Sequence, residues 1–165
     1  EASLALLSKG KDSVFAKKNV RQDDGTVKSE YDTDAIYKAV SKFVKDYNST
    51  IESAASSEDS SVLSSTASMV KATKANSNLL ADVGISIGSD NKLTIDEKAF
   101  KSANMTDVKS IFNGTGSYAY GIASSSSNIY NKSVSQLANL NGYSYTSTGS
   151  YSSYQYTGSL TSQYK

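Results

Sequence analysis

Serine and lysine are the residues with which nucleophilic chemistry could begin in this chain. Ser8-Lys9 and Ser41-Lys42 are adjacent pairs, and a serine attacks only when a neighbouring base takes its proton. Adjacency along the chain does not make two side chains face each other, so neither pair defines a dyad. The chain contains no His and no Cys, which excludes His-dependent triads and the usual zinc sites. The carboxylate pairs Asp23-Asp24 and Glu58-Asp59 fall in expected loops. Loops expose such pairs to solvent, whereas acid–base catalysis needs a sheltered pair. The sequence therefore predicts no enzyme, no catalytic residue and no cofactor.

Binding chemistry is equally restricted. Asp90, Asn91, Asp96 and Glu97 supply oxygen ligands near a turn, but without the D-x-[DN]-x-[DN]-G spacing or the Glu at loop position 12 of a calcium cradle. They read as a hairpin turn followed by a helix cap, and no metal site is expected. Lys9, Lys11, Lys17, Lys18 and Arg21 cluster near the start, interleaved with Asp12 and followed by Asp23 and Asp24. That mixture reads as a solvated face and not as a nucleic-acid patch. With 17 basic against 16 acidic residues the formal charge is +1, so no strong field steers the chain to nucleic acid or membrane. Asn-x-Ser/Thr sequons at Asn48, Asn104, Asn113 and Asn131 are expected by chance in so serine-rich a chain. No apolar run approaches bilayer length, and EASLALLSKGK lacks the basic start and long apolar core of a signal peptide. Because residue 1 is Glu, a natural start ahead of it is expected.

The elements are more legible than the chemistry. Leu4, Leu7, Lys11, Val14 and Phe15 fit a first helix weakened by Gly10, and Asp24-Gly25 between Val20 and Val27 signals a short, partly exposed hairpin. From an N-cap at Asp32 or Thr33, the apolar positions Ile36, Val40, Phe43, Tyr47, Ile51 and Ala54 are spaced by 4, 3, 4, 4 and 3 residues, the mark of a long amphipathic helix. Ser56 to Asp59 break that pattern. Val62, Leu63, Thr66, Met69, Val70, Thr73 and Leu80 then predict one second helix, antiparallel to the first.

Between Leu79 and Gly114 the signals are densest. Val83, Ile85 and Ile87 alternate with Gly84, Ser86 and Gly88; Ser89, Asp90 and Asn91 form a turn; Leu93 and Ile95 alternate again, giving a hairpin with one buried face. Asp96 is the expected N-cap of a short helix carrying Phe100, and Thr106 that of the next, with Val108, Ile111 and Phe112 as its stripe. Beyond the GTGS loop, Tyr118, Ile122, Ser125, Ile129, Ser133, Leu137 and Leu140 predict a long helix with a small, polar seam.

LADVGISIGSDNKLTIDEKAF followed by VKSIFNG resembles the C-terminal part of the flagellar filament-capping family, the hook-associated protein 2 group. AVSKFVKDYNSTI, Ala39 to Ile51, is similar to an earlier helix of the same family, and the two matches span roughly residues 34–114 in the family's order. The resemblance implies a homo-oligomer at the distal end of a filament, at the bacterial surface, that holds flagellin-like subunits while they fold and join. Its working residues would be packing anchors: Phe43, Tyr47, Ile51, Leu80, Val83, Ile85, Leu93, Ile95, Phe100, Ile111 and Phe112.

Every carboxylate side chain lies at or before Asp107, whereas nine of the 12 tyrosines follow it. The expected organisation is thus a mainly α body over residues 1–140, a three- to four-helix, coiled-coil-like bundle with one or two small β-hairpins, one of them at 82–96. A Ser/Tyr-rich tail over 141–165 follows. The tail reads either as a stalk or as a tyrosine-studded hairpin turning near Thr148-Gly149, packed on the body or on a partner. In the second case Tyr143, Tyr145, Tyr151, Tyr154 and Tyr156 offer rigid amphipathic area, and an extracellular module binding carbohydrate or protein is the alternative function.

Overall fold

The computed structural model describes residues 13–140, 143–145 and 151–153, and the side chains of 13–135. The fold is mainly helical with small antiparallel hairpins. A first strand pair, β1 (Lys18–Arg21) and β2 (Val27–Glu30), precedes the long helix α1 (Thr33–Ala55). Asp32 caps α1, its Oδ1 accepting the Ala35 N–H at 2.9 Å. The apolar spacing then places Ile36, Val40, Phe43, Tyr47, Ile51 and Ala54 in the core, joined by Val44.

The second helical stretch is two helices where the periodicity predicts one. Helix α2 (Ser60–Ala75) is capped by Asp59, which accepts the Ser61 and Val62 N–H groups, and it stops at Asn76. There the backbone leaves helical geometry and the Asn76 amide donates back to the Ala72 carbonyl at 2.8 Å. Helix α3 (Ser77–Asp82) follows, with Leu80 fully buried in the core. Side-chain-to-backbone competition by an asparagine ends α2, which apolar spacing alone does not register.

Val83 likewise departs from its expected place in a strand. It is the C-cap of α3, and Gly84 at φ +76° takes the left-handed turn that starts β3 (Ile85–Ile87). A Cβ at Gly84 would come within 2.9 Å of the Ala99 Cβ and of the Phe100 nitrogen, so the close approach also requires glycine. Strand β4 (Leu93–Ile95) pairs with β3 in the register Ile85↔Ile95 and Ile87↔Leu93. Those four side chains share the inner face, while Ser86 and Thr94 hydrogen-bond at 2.7 Å on the outer one.

Helix α4 (Glu97–Ser102) is capped by Asp96 as expected. Helix α5 (Met105–Phe112) is capped by Asn104 where Thr106 was the expected cap: the Asn104 Oδ1 accepts the Thr106 N–H at 2.9 Å, leaving Thr106 in the first turn and Met105 buried. Helix α6 (Tyr118–Leu140) completes the body.

Four contacts orient the bundle. Phe43 meets Tyr118 and Ala54 lies beside Ile129, so α1 and α6 run parallel; Thr73 meets Tyr118 and Ser65 meets Lys132, so α2 runs antiparallel to both. Strands β5 (Tyr143–Tyr145) and β6 (Tyr151–Ser153) form a third antiparallel pair in the register Tyr143↔Ser153 and Tyr145↔Tyr151. Of the expected first helix, Leu4, Leu7 and Lys11 lie outside the described residues, while Val14 and Phe15 form a turn and no helix, closed by the Ala16 N–H on the Ser13 carbonyl at 2.9 Å, with Phe15 buried in the core. The turn near Thr148-Gly149, and Tyr154 and Tyr156, also lie outside the described residues.

Candidate functional site: packing anchors and contact surfaces

Phe43, Phe112 and Tyr118 stack edge-on around one point, with ring centroids 5.6, 6.0 and 6.3 Å apart, and so tie α1, α5 and α6 together. Below this cluster Tyr118 and Thr73 share a 3.1 Å hydrogen bond between hydroxyls, and Thr73 also reaches the Met69 carbonyl at 3.1 Å. Burial pushes the ionisation of the Tyr118 phenol far up, against the opposing effect of that hydrogen bond. Tyr47 is 2% exposed and its hydroxyl faces the same threonine without a hydrogen bond of good geometry; burial raises its pKa as well. These hydroxyls join α1, α2 and α6 at Tyr47, Thr73 and Tyr118.

Of the expected anchors, Phe43, Tyr47, Ile51, Leu80, Val83, Ile85, Leu93, Phe100, Ile111 and Phe112 are buried, and Ile95 is half-buried against the same core. Tyr143, Tyr145 and Tyr151 lie on β5 and β6.

Asn48 acquires a role that its sequon alone did not suggest. Its Nδ2 donates to the Leu93 carbonyl at 2.9 Å and its Oδ1 accepts the Leu93 N–H at 2.8 Å. The side-chain amide thus pairs with β4 as a neighbouring strand would, and fixes the hairpin along α1. Lys92 adds an ion pair with Glu52, which raises the lysine pKa. Farther along α1, Lys101 of α4 reaches Asp34 at 2.7 Å and Glu97 at 2.6 Å, sits 5.2 Å from the centre of the Tyr37 ring, and has its pKa raised chiefly by Asp34. A pattern such as YN in an amphipathic run is the sole sequence signal for Asn48, and its partner lies 45 residues away.

Ser8-Lys9 lies outside the described residues, and the serine–lysine contact seen among the described ones does not involve Ser41-Lys42. Lys132 of α6 donates to the Ser65 Oγ of α2 at 2.6 Å, while that hydroxyl donates to the Ser61 carbonyl at 2.8 Å. A lysine acting as donor is not a base, and the contact is solvent-exposed, so it does not activate the serine. It lies in an open polar groove of about 620 Å3 between α2 and α6, lined by Asp59, Ser68, Asn128 and Ser135 among others. At the expected turn, Asp90 accepts the Lys92 N–H at 3.1 Å and Asn91 takes a φ of +62°; Asp96 is committed to its helix cap. Among the described residues no cluster of His, Cys, Asp or Glu could hold a metal, and no helix is long and apolar enough to cross a membrane. In comparison with known proteins, the chain matches no family model, no curated protein sequence and no solved structure.

Proposed function

We propose that this protein is a structural or assembly module that works by subunit contact, in the manner of the C-terminal region of flagellar filament caps. The observation that carries the reading is the union of the two segments on which the resemblance rests. Asn48, in the first, holds both the N–H and the carbonyl of Leu93 in the second. Two motifs that are each short would be a coincidence if they lay apart in space; here they form one unit, with Phe43 and Phe112 packed edge-on between them. On this reading the protein makes and breaks no bond, uses no cofactor, and has further copies of itself and flagellin-like subunits as partners at the cell exterior. Immunogold labelling of source cells is the test: gold at distal filament tips supports the reading, and gold spread over the envelope away from filaments sinks it.

A second reading, a surface module that binds carbohydrate or protein through tyrosines, draws support from α6. Tyr130 is 68% exposed at the rim of a groove of about 270 Å3 lined by Ser49, Ser53, Ala54, Ile129 and Ser133. An exposed ring beside hydroxyls suits a sugar face or a peptide. Tyr130→Ala should abolish such binding in a glycan-array or peptide-array assay; unchanged binding removes this reading.

A further inference from the structure

The hairpin β1–β2 is built unlike the rest of the molecule. All of β1 and most of β2 are exposed, on both faces, and Val27 is 65% exposed. A two-stranded ribbon with no buried face is marginal in water. Its hydrogen-bond phase is fixed by the closing pair, in which the Gln22 N–H reaches the Thr26 carbonyl at 2.8 Å and Gly25 takes a φ of +83°. With the register Lys18↔Glu30, Asn19↔Ser29, Val20↔Lys28 and Arg21↔Val27, alternation makes Val20↔Lys28 and Lys18↔Glu30 the hydrogen-bonded pairs. The N–H and C=O groups of Val27 and Ser29 therefore point away from β1, along an edge that no backbone group among the described residues occupies.

We infer that this β2 edge pairs antiparallel with the β2 edge of a second copy about a two-fold axis at Ser29, making a four-stranded sheet across a dimer. The charges select that register. With the axis at Ser29, Ser29 faces Ser29 as a hydrogen-bonded pair, and Lys28 of each copy stands opposite Glu30 of the other. The residue after β2, Tyr31, is half-buried against the core with the Lys17 ammonium 5.0 Å from its ring centre, so the register is carried by the charge pairs on β2 itself. Moving the axis by one residue sets Lys28 against Lys28 or Glu30 against Glu30. Strand β1 offers no such match, since Lys18 and Arg21 are its only charges and share a sign. In the free chain Lys28 and Glu30 form an exposed ion pair at 3.0 Å, so pairing exchanges one partner for another and buries neither charge alone. The contact is short, which fits a weak dimer that becomes stable when several contacts act together.

The inference rests on the assembly reading, yet the two fail separately, because tip labelling tests the role and sedimentation tests the edge. The experiment is sedimentation equilibrium of the full chain at concentrations up to about 1 mM. Wild type should dimerise. Ser29→Pro removes an outward N–H without touching the β1–β2 ladder, and should raise the Kd at least about tenfold. Asn19→Pro, the same change on the β1 edge, should leave the Kd unchanged. K28E and E30K should each raise it about fivefold or more, and the double variant should restore dimerisation. Helical circular dichroism and an unchanged melting temperature verify folding, and the charge pair serves if the proline variant misfolds. A monomer at every concentration overturns the inference. So does a dimer sensitive to Asn19→Pro and not to Ser29→Pro, or one indifferent to all of these changes because the N-terminal segment or another face is the occupant.

Discussion

Two hairpins of nearly equal length, β1–β2 and β3–β4, have opposite relations to the core. Strands β3 and β4 turn Ile85 and Leu93 into the interior, at 1% exposure each, and Asn48 supplies the edge of β4 with a side chain in place of a strand. Strands β1 and β2 bury nothing comparable and are held to the body by Lys18 with Asp32 at 2.7 Å. A hairpin becomes part of a fold through what lies beneath and beside it, since turn chemistry alone stabilises neither. The β3–β4 ribbon is buried in the body, whereas both faces of β1–β2 are exposed.

The largest effect is expected in the body that β3–β4 joins and β1–β2 does not. Phe112→Ala should cost about 3–5 kcal/mol in urea unfolding, because the ring is fully buried among α1, α5 and α6. A loss under about 1 kcal/mol would mean that the aromatic cluster is not the hub of the body. Ile85→Ala removes a buried side chain of β3 itself and should cost about 2–4 kcal/mol. The clamp comes next. Asn48→Ala leaves the Leu93 N–H and carbonyl without their side-chain partner and should cost about 1–3 kcal/mol, with earlier hydrogen exchange at Leu93 than at the rest of the core. Equal protection of Leu93 in the variant and the wild type would show that the pairing with α1 does not fix the hairpin.

The sequence made this contrast only half visible. Helix α1 was legible because six apolar anchors at helical spacing and an aspartate cap state one structure twice. The buried face of β3–β4 was legible for the same reason, through alternation and a turn. Asn48 was not, since a residue inside a helix gives no sign of a partner 45 positions on, and an exposed sequon looks identical. Asn76 and Asn104 escaped notice in a similar way: each uses its amide on nearby backbone, one to end a helix and one to begin another, where apolar periodicity marks only the buried face. The contact of Lys132 with Ser65 joins residues 67 positions apart, and no adjacent Ser-Lys pair pointed to it.

The tether of the exposed hairpin gives a smaller, pH-dependent effect. The Lys18 ammonium, and next the Ala35 N–H, hold the Asp32 carboxyl below its ordinary 3.8. With the folded pKa below the unfolded one, the unfolded chain binds more protons between the two values. The stability contributed by this group is therefore present above pH 3.8 and is lost as pH falls through the folded pKa. NMR titration of the Asp32 carboxyl should give a midpoint below 3.8, and Lys18→Gln should move it upward. An unmoved midpoint would assign the depression to the helix cap alone and leave β1 untethered.

The smallest change belongs to the hairpin itself. Val20 is 43% exposed and pairs with Lys28, so its methyl groups already meet water in the folded chain. Val20→Ala removes little buried area and should alter unfolding free energy by less than about 0.5 kcal/mol, measured at protein concentrations too low for association. The matching truncation at Ile85 should cost several times more, although both residues occupy strands of two-stranded hairpins. If Val20→Ala proved as costly as Ile85→Ala, β1–β2 would be packed against something that its exposure does not reveal. Its free edge would then serve the monomer's own stability and no second copy.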